Sequence, residues 1–239
     1  MDSISLGGLV EKLKGRLFTF GCSFTNYRWS TWADILGAEF NEFQNWGQSG
    51  GGNQFIFNSV MEADQRHRFS HGDTVVVCWT GTQRDDRYVD HRWHTLGNVF
   101  NCPIYDPKYL REYVEERGYL IRDLACMKAV KVLLESIPGL TWRFLSMIEP
   151  NNVDDTRDVT QLYQDVVDSI APSYYTVLFK EIGWPDRNGD PHPTPSEHLA
   201  YLDAVLPGWV TKEEIRAKIA HETVNLDRGR SGLSRVERL

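Results

Sequence analysis

Apolar residues along this chain alternate between short unbroken runs and stripes at helical spacing. Leu17-Phe18-Thr19-Phe20 is a β-prone run ending at Gly21, which predicts a strand delivered into a tight turn. Trp29, Trp32, Ala33 and Leu36 then recur at helical spacing up to Gly37, and residues 39–44 suit a short second strand. Beyond a glycine-rich stretch at 47–52, Phe55, Ile56, Val60 and Met61 predict a second helix. Residues 73–79, with Thr74-Val75-Val76-Val77-Cys78, form the clearest strand, apolar enough to be covered on both faces of a parallel sheet. Leu120, Leu124, Met127, Val130, Leu133, Leu134 and Ile137 mark a long amphipathic helix closed by Pro138-Gly139. Residues 140–148 read as a strand, and Leu162, Val166, Val167 and Ile170 as a shorter helix.

Strand and helix thus alternate, predicting an α/β fold with a mainly parallel central sheet. No repeat or linker divides the chain, so a single domain over 1–239 is expected, with a helical tail from about residue 211. Residues 84–106 break the alternation. They are polar and aromatic without a period, from Arg84-Asp85-Asp86-Arg87-Tyr88 through Asp90-His91-Arg92-Trp93-His94, and read as a long loop insertion that lines a binding site.

Charge and composition narrow the function classes. With 33 acidic and 26 basic residues the formal charge is −7, which argues against non-specific nucleic-acid binding. An arginine-rich end (Arg228, Arg230, Arg235, Arg238) is expected to be solvated or packed at an interface rather than a nucleic-acid arm. No apolar run reaches the roughly 18 residues that span a bilayer, and residues 1–16 lack a signal-peptide core. Cys22, Cys78, Cys102 and Cys126 lie far apart with no C-x-x-C pair, so neither a metal site nor a disulfide framework is expected. Together these features predict a cytoplasmic protein without a membrane partner. Aromatic residues make up 12% of the chain, and Trp46, Trp79 and Trp93 lie in or beside the loops discussed next, where they would wall a pocket.

Four segments carry candidate chemistry. Gly21-Cys22-Ser23-Phe24-Thr25 puts a serine just beyond a strand's C-terminal end, where open α/β sheets bind ligands. Ser23 or Thr25 is equally suited to capping a following helix, whose N-terminus would favour developing negative charge. Asn45-Trp46-Gly47-Gln48-Ser49-Gly50 offers backbone N–H groups to an oxyanion or makes a plain turn; no lysine follows to complete a phosphate-binding loop. Gln83, after the clearest strand, either donates its amide to an oxyanion or satisfies loop backbone. The proline-stiffened Asp190-Pro191-His192-Pro193-Thr194-Pro195-Ser196 presents His192 as a general base or serves as a helix entry capped by Thr194 or Ser196; His198 falls on the helix itself.

In their order along the chain these four segments resemble the blocks of the SGNH (GDSL-like) hydrolases. That resemblance implies a flavodoxin-like three-layer sandwich and a serine-dependent ester hydrolase needing no cofactor and no metal. It implies Ser23 as nucleophile, His192 as base and Asp190 as its orienter, with Gly50 and Gln83 as oxyanion donors beside the Ser23 N–H. Three positions depart from the family pattern. Cys22 stands in place of Asp, Gln83 in place of Asn, and Asp190 lies two residues before the histidine instead of three, which leaves Asp186 as another candidate orienter. Arg84, Trp93 and His94 in the insertion are expected to contact the substrate, a small-molecule or glycan acyl ester. An O-acyltransferase, or a non-catalytic binding or assembly protein on the same scaffold, are the alternatives.

Overall fold

A computed structural model describes residues 13–150, 155–185, 187, 189–209 and 211–232. Four strands form one parallel sheet: β1 (Leu13–Phe20), β2 (Phe40–Asn45), β3 (Thr74–Trp79) and β6 (Thr141–Ser146), in the order β2-β1-β3-β6. Residues of these strands alternate between two apolar cores. Phe18, Phe20, Val75, Val77, Trp79 and Phe144 face one helical layer, while Leu17, Val76, Cys78 and Leu145 face the other. This period of two, with both faces buried, is why β3 reads as an unbroken apolar run.

The first layer holds α2 (Asn53–His67) and α4 (Glu116–Glu135), with the short α5 (Arg157–Leu162) and α6 (Gln164–Val167). The second holds α1 (Trp32–Gly37), α7 (Pro195–Val205), a π-helical turn at Tyr175–Phe179, and α8 (Glu213–Gly232) through Ile219. The structure is therefore the α/β sandwich with a parallel central sheet that the sequence predicts. Tyr163 interrupts the helix predicted around 162–170, leaving two short segments. The tail predicted from 211 is helical from Glu213, while the side chains of Arg228 and Arg230, and Arg235 and Arg238 altogether, lie outside the described residues. Among the described residues no helix is long and apolar enough to cross a membrane. All four cysteines are free thiols; Cys22 and Cys78 are buried, whereas Cys102 and Cys126 are half-buried.

The insertion is not structureless. It contains a hairpin of β4 (Arg87–Val89) and β5 (Arg92–His94), a 3-10 turn at Val99–Asn101, and the start of α3 (Pro107–Tyr113) follows it. Three-residue strands whose β4 side chains are all exposed leave no hydrophobic period to detect. The insertion is anchored by Asp86, which lies buried at the N-terminus of α2 and accepts hydrogen bonds from the Gly52 N–H (2.9 Å) and the Phe55 N–H (2.9 Å). Because Gly52 is the N-cap residue and has no side chain, a carboxylate from elsewhere in the chain satisfies these otherwise orphaned donors. Burial nevertheless pushes the Asp86 carboxyl above its ordinary pKa, offsetting part of the gain. Asp86→Ala is expected to cost about 1–2 kcal/mol, and Asp86→Asn, which keeps one acceptor oxygen, less. Denaturant midpoints of the two variants against wild type test this; a midpoint unchanged in Asp86→Ala would show that the contact contributes nothing.

Candidate active site

The chain order reverses between β1 and β3, so their C-terminal ends open a crevice at the point where such sheets bind ligands. The loops after β1, β2, β3 and β6 line a cavity of about 590 Å³ there. Ser23, Gly50, Gln83, Arg84 and His192, brought from four separated stretches of sequence, all line it.

Ser23 sits on a turn closed by Thr25 N–H and Asn26 N–H donating to the Cys22 carbonyl. No helix follows directly: α1 begins at Trp32 and is capped by Thr31 in a capping box with Asp34. Neither Ser23 nor Thr25 is a helix cap, and no adjacent helix N-terminus supports the serine. Gly21 is required by close approach, since a Cβ there would lie 2.0 Å from Thr25 Oγ1 and 3.0 Å from the Cys78 carbonyl.

His192 Nε2 lies 2.8 Å from Ser23 Oγ, and its Nδ1 lies 2.7 Å from Asp190 Oδ1. The two-residue spacing is suited to this, because the same Oδ1 accepts the His192 backbone N–H at 3.1 Å. Asp190 is thus the carboxylate on the ring; Asp186 lies outside the described residues. Asp190 Oδ2 accepts from Arg28 Nη2 (2.8 Å) and the Tyr27 hydroxyl (3.3 Å), while the Tyr27 ring stacks on the imidazole at 4.0 Å and 17°. With Nδ1 turned to a carboxylate, the proton resides there and the Nε2 lone pair faces the serine hydroxyl.

The electrostatics suit a neutral imidazole beside an ionised acid. Burial lowers the His192 pKa; the hydrogen bond and charge of Asp190 oppose this, and the charges of Arg28 and Arg84 add to it, leaving it below its ordinary value. Burial pushes the Asp190 carboxyl up, but hydrogen bonds from the His192 ring and backbone and the charge of Arg28 outweigh it, so its pKa is lowered. His198, by contrast, is buried within α7, 2.7 Å through Nδ1 from the Tyr174 hydroxyl, and burial drives its pKa down to about 3. It packs behind Phe24 and takes no part in the cavity. Thr194 does cap α7, in a capping box with Glu197, so the loop is a helix entry and also the support of His192.

The Gly50 N–H and the Ser23 N–H donate to no described residue. Gly50 has φ +77°, and a Cβ there would stand 2.2 Å from the Thr95 carbonyl, so only glycine fits against the insertion. The Gln83 side chain is held between two partners, its Nε2 donating to Glu116 (2.8 Å) and its Oε1 accepting from Asn98 Nδ2 (2.9 Å), rather than satisfying loop backbone. One N–H on each amide, Gln83 and Asn98, has no partner among the described residues.

The expected aromatic walls differ. Trp79 shares the strand face of Val75 and Val77 and is buried in the core, and Trp46 packs against Phe20 and His67. Trp93 packs edge-on to Phe55 and Tyr88, and His94 receives Arg92 Nε on the hairpin; neither lines the cavity. Of the substrate-contact residues expected in the insertion, only Arg84 does. The aromatic wall comes from Phe24, Tyr27 and Trp184, with Met147 and Ile148 beside them. Tyr27 and Arg28 directly follow the serine block, a position that marks them as neighbours; Trp184 and Asn98 lie in aperiodic stretches and carry no such signal. Among the described residues no group of three His, Cys, Asp or Glu side chains is placed to hold a metal.

No protein-family model and no curated protein matches the chain. Solved structures do. A member of the lipolytic protein G-D-S-L family from Veillonella parvula is 16% identical, with 79% of this chain and 96% of that one covered and a TM-score of 0.43. The acetylxylan esterase Axe2 from Geobacillus stearothermophilus is 15% identical, with coverages of 82% and 96% and a TM-score of 0.42. LAE5, an alpha/beta hydrolase enzyme from the metagenome of Lake Arreo, is 15% identical, with coverages of 84% and 97% and a TM-score of 0.46.

The hydrogen-bonding pattern sets a titration that needs no substrate. The His192 ring is expected to titrate below 6.5 by NMR. Asp190→Asn removes the charge that favours the imidazolium, so the midpoint should move further down. An unchanged or raised midpoint in that variant would contradict the Asp190–His192 pairing.

Proposed function

We propose that the chain is a serine-dependent ester hydrolase of SGNH type, with Ser23 as nucleophile, His192 as general base and Asp190 as its orienting acid. The observation that carries this reading is the 2.8 Å contact between Ser23 Oγ and His192 Nε2, both of which line the cavity, with Asp190 on the far ring nitrogen. In the first step Ser23 Oγ bonds to the ester carbonyl carbon as its proton passes to His192 Nε2. The resulting oxyanion is bound by the Ser23 and Gly50 N–H groups and by the amide of Gln83. As the intermediate collapses, the alcohol leaves with the proton held on His192. Water, deprotonated by the same imidazole, then releases the acid and restores the serine.

Asp190 keeps its negative charge throughout and stabilises the imidazolium that forms between the two proton transfers. Tyr27, stacked flat on the ring, limits rotation out of the Ser23–Asp190 line. The half-held Gln83 answers the substitution of Asn by a longer side chain: Glu116 and Asn98 restrain it where it would otherwise sample several rotamers. An O-acyltransferase would use the same first step and give the acyl group to a hydroxyl in place of water.

Ser23→Ala is expected to abolish fluorophosphonate labelling and to lower turnover of 4-nitrophenyl acetate by roughly 10⁴-fold or more. Gln83→Ala should cost roughly 10²-fold in kcat, the usual cost of losing one oxyanion donor. Full turnover by Ser23→Ala on every ester that the wild type cleaves would sink the proposal.

A further inference from the structure

Arg84 differs from every other described arginine. Arg16, Arg117, Arg122, Arg187 and Arg216, the other described arginines with partly covered side chains, each have a carboxylate within ion-pair distance. Arg84 is half-buried and has none among the described residues. Its Nη1 donates to the Gly51 carbonyl at 2.9 Å, and its Nη2 reaches only Met147 Sδ at 3.8 Å. The nearest charge acting on it is that of buried Asp86, whose oxygens are taken up by the Gly52 and Phe55 N–H groups, so the guanidinium has no direct ion-pair partner and its remaining N–H donors adjoin the cavity.

The cavity itself is short of negative charge. No aspartate or glutamate is among its lining residues, and Gln83, Asn98 and Asn101 add neutral amides to the same rim. On a chain of net charge −7, Arg84 is the one aspartate, glutamate, lysine or arginine among these lining residues, and it stands in the same cavity as the candidate nucleophile. Phe24, Trp184, Met147 and Ile148 make much of the remaining lining apolar, Met147 in contact with the guanidinium itself. A ligand that matches this lining has an apolar or ring-shaped body and one anionic group.

We propose that Arg84 is a specificity-determining residue that selects esters bearing a carboxylate, on either the acyl or the alcohol side of the scissile bond. This rests on the esterase reading above and names its substrate class. A planar carboxylate matches the donor pattern of a guanidinium better than a neutral amide or hydroxyl does.

Two matched pairs test it. Mono-4-nitrophenyl succinate against 4-nitrophenyl butyrate places the charge on the acyl side, and 3-acetoxybenzoate against 3-acetoxybenzamide places it on the alcohol side. In at least one pair the wild-type protein should favour the charged member in kcat/KM by tenfold or more, and the excess should shrink with added salt. Arg84→Gln should cut that charged-to-neutral ratio at least tenfold, and Arg84→Lys should restore part of it. A wild-type preference for the neutral member of both pairs overturns the inference. So does an equal fall for both members in Arg84→Gln, since that is the signature of a residue that only props the Gly51 carbonyl. Binding of 3-acetamidobenzoate against 3-acetamidobenzamide, measured by calorimetry, separates this claim from the esterase reading. Absent Ser23 labelling with Arg84-dependent benzoate binding would overturn the reading and keep the anion site; labelled Ser23 with no charge preference would do the reverse.

Discussion

One buried carboxylate holds together the parts of the candidate site that come from different loops. Asp86 follows β3 by seven residues, yet its two oxygens fasten the backbone of Gly52 and Phe55 at the start of α2. The glycine stretch before α2 and the Gln83–Arg84 stretch after β3 are thereby locked at one relative position. The Arg84 contact to the Gly51 carbonyl runs between the same two stretches, and the Gly97 N–H bond to the Gly50 carbonyl ties the far side of the insertion to the glycine stretch. Arg122 on α4 extends the tie, donating to the Arg84 carbonyl and to buried Asp123, which in turn accepts from Asn53. The Gly50 N–H and the Gln83 amide therefore owe their separation to a helix cap rather than to their own chemistry.

The other half of the site is organised by stacking and charge. Asp190 is engaged on one oxygen by the histidine it orients and on the other by Arg28, five residues beyond Ser23. The same side chain that fixes the ring thus ties the base loop to the serine loop, and Trp29 Nε1 donating to the Pro193 carbonyl adds a second tie at 2.8 Å. Opposing influences on His192, burial and two arginines against one aspartate, leave its pKa below the ordinary value and favour the neutral imidazole.

The sheet was legible because strands buried on both faces can only be apolar throughout, as Val75, Val76 and Val77 are. The meeting of Ser23, Asp190 and His192 in one place was legible because their short, type-specific blocks stand at loop positions that open α/β sheets bring to one edge. The insertion was not: its hairpin strands are three residues long, and pairing there depends on turn geometry at Asp90 and His91, both with positive φ. The tryptophans show a different gap. Nearness in sequence to a loop says nothing of direction, and at Trp79 the two-residue period of the strand turns the ring into the core. Trp184 reaches the cavity from an aperiodic stretch, where tertiary packing alone decides which side chain points inward.

The contact between Ser23 and His192 joins residues 169 apart in sequence. The serine, its backbone N–H and the glycine stretch are all made in the first quarter of synthesis, whereas the base comes with α7 and the last segments of the second layer. A chain still emerging from the ribosome, or one whose C-terminal layer has come loose, carries Ser23 without the imidazole that contacts its hydroxyl. Under the proposed mechanism, reactivity at Ser23 is therefore coupled to completion of the fold.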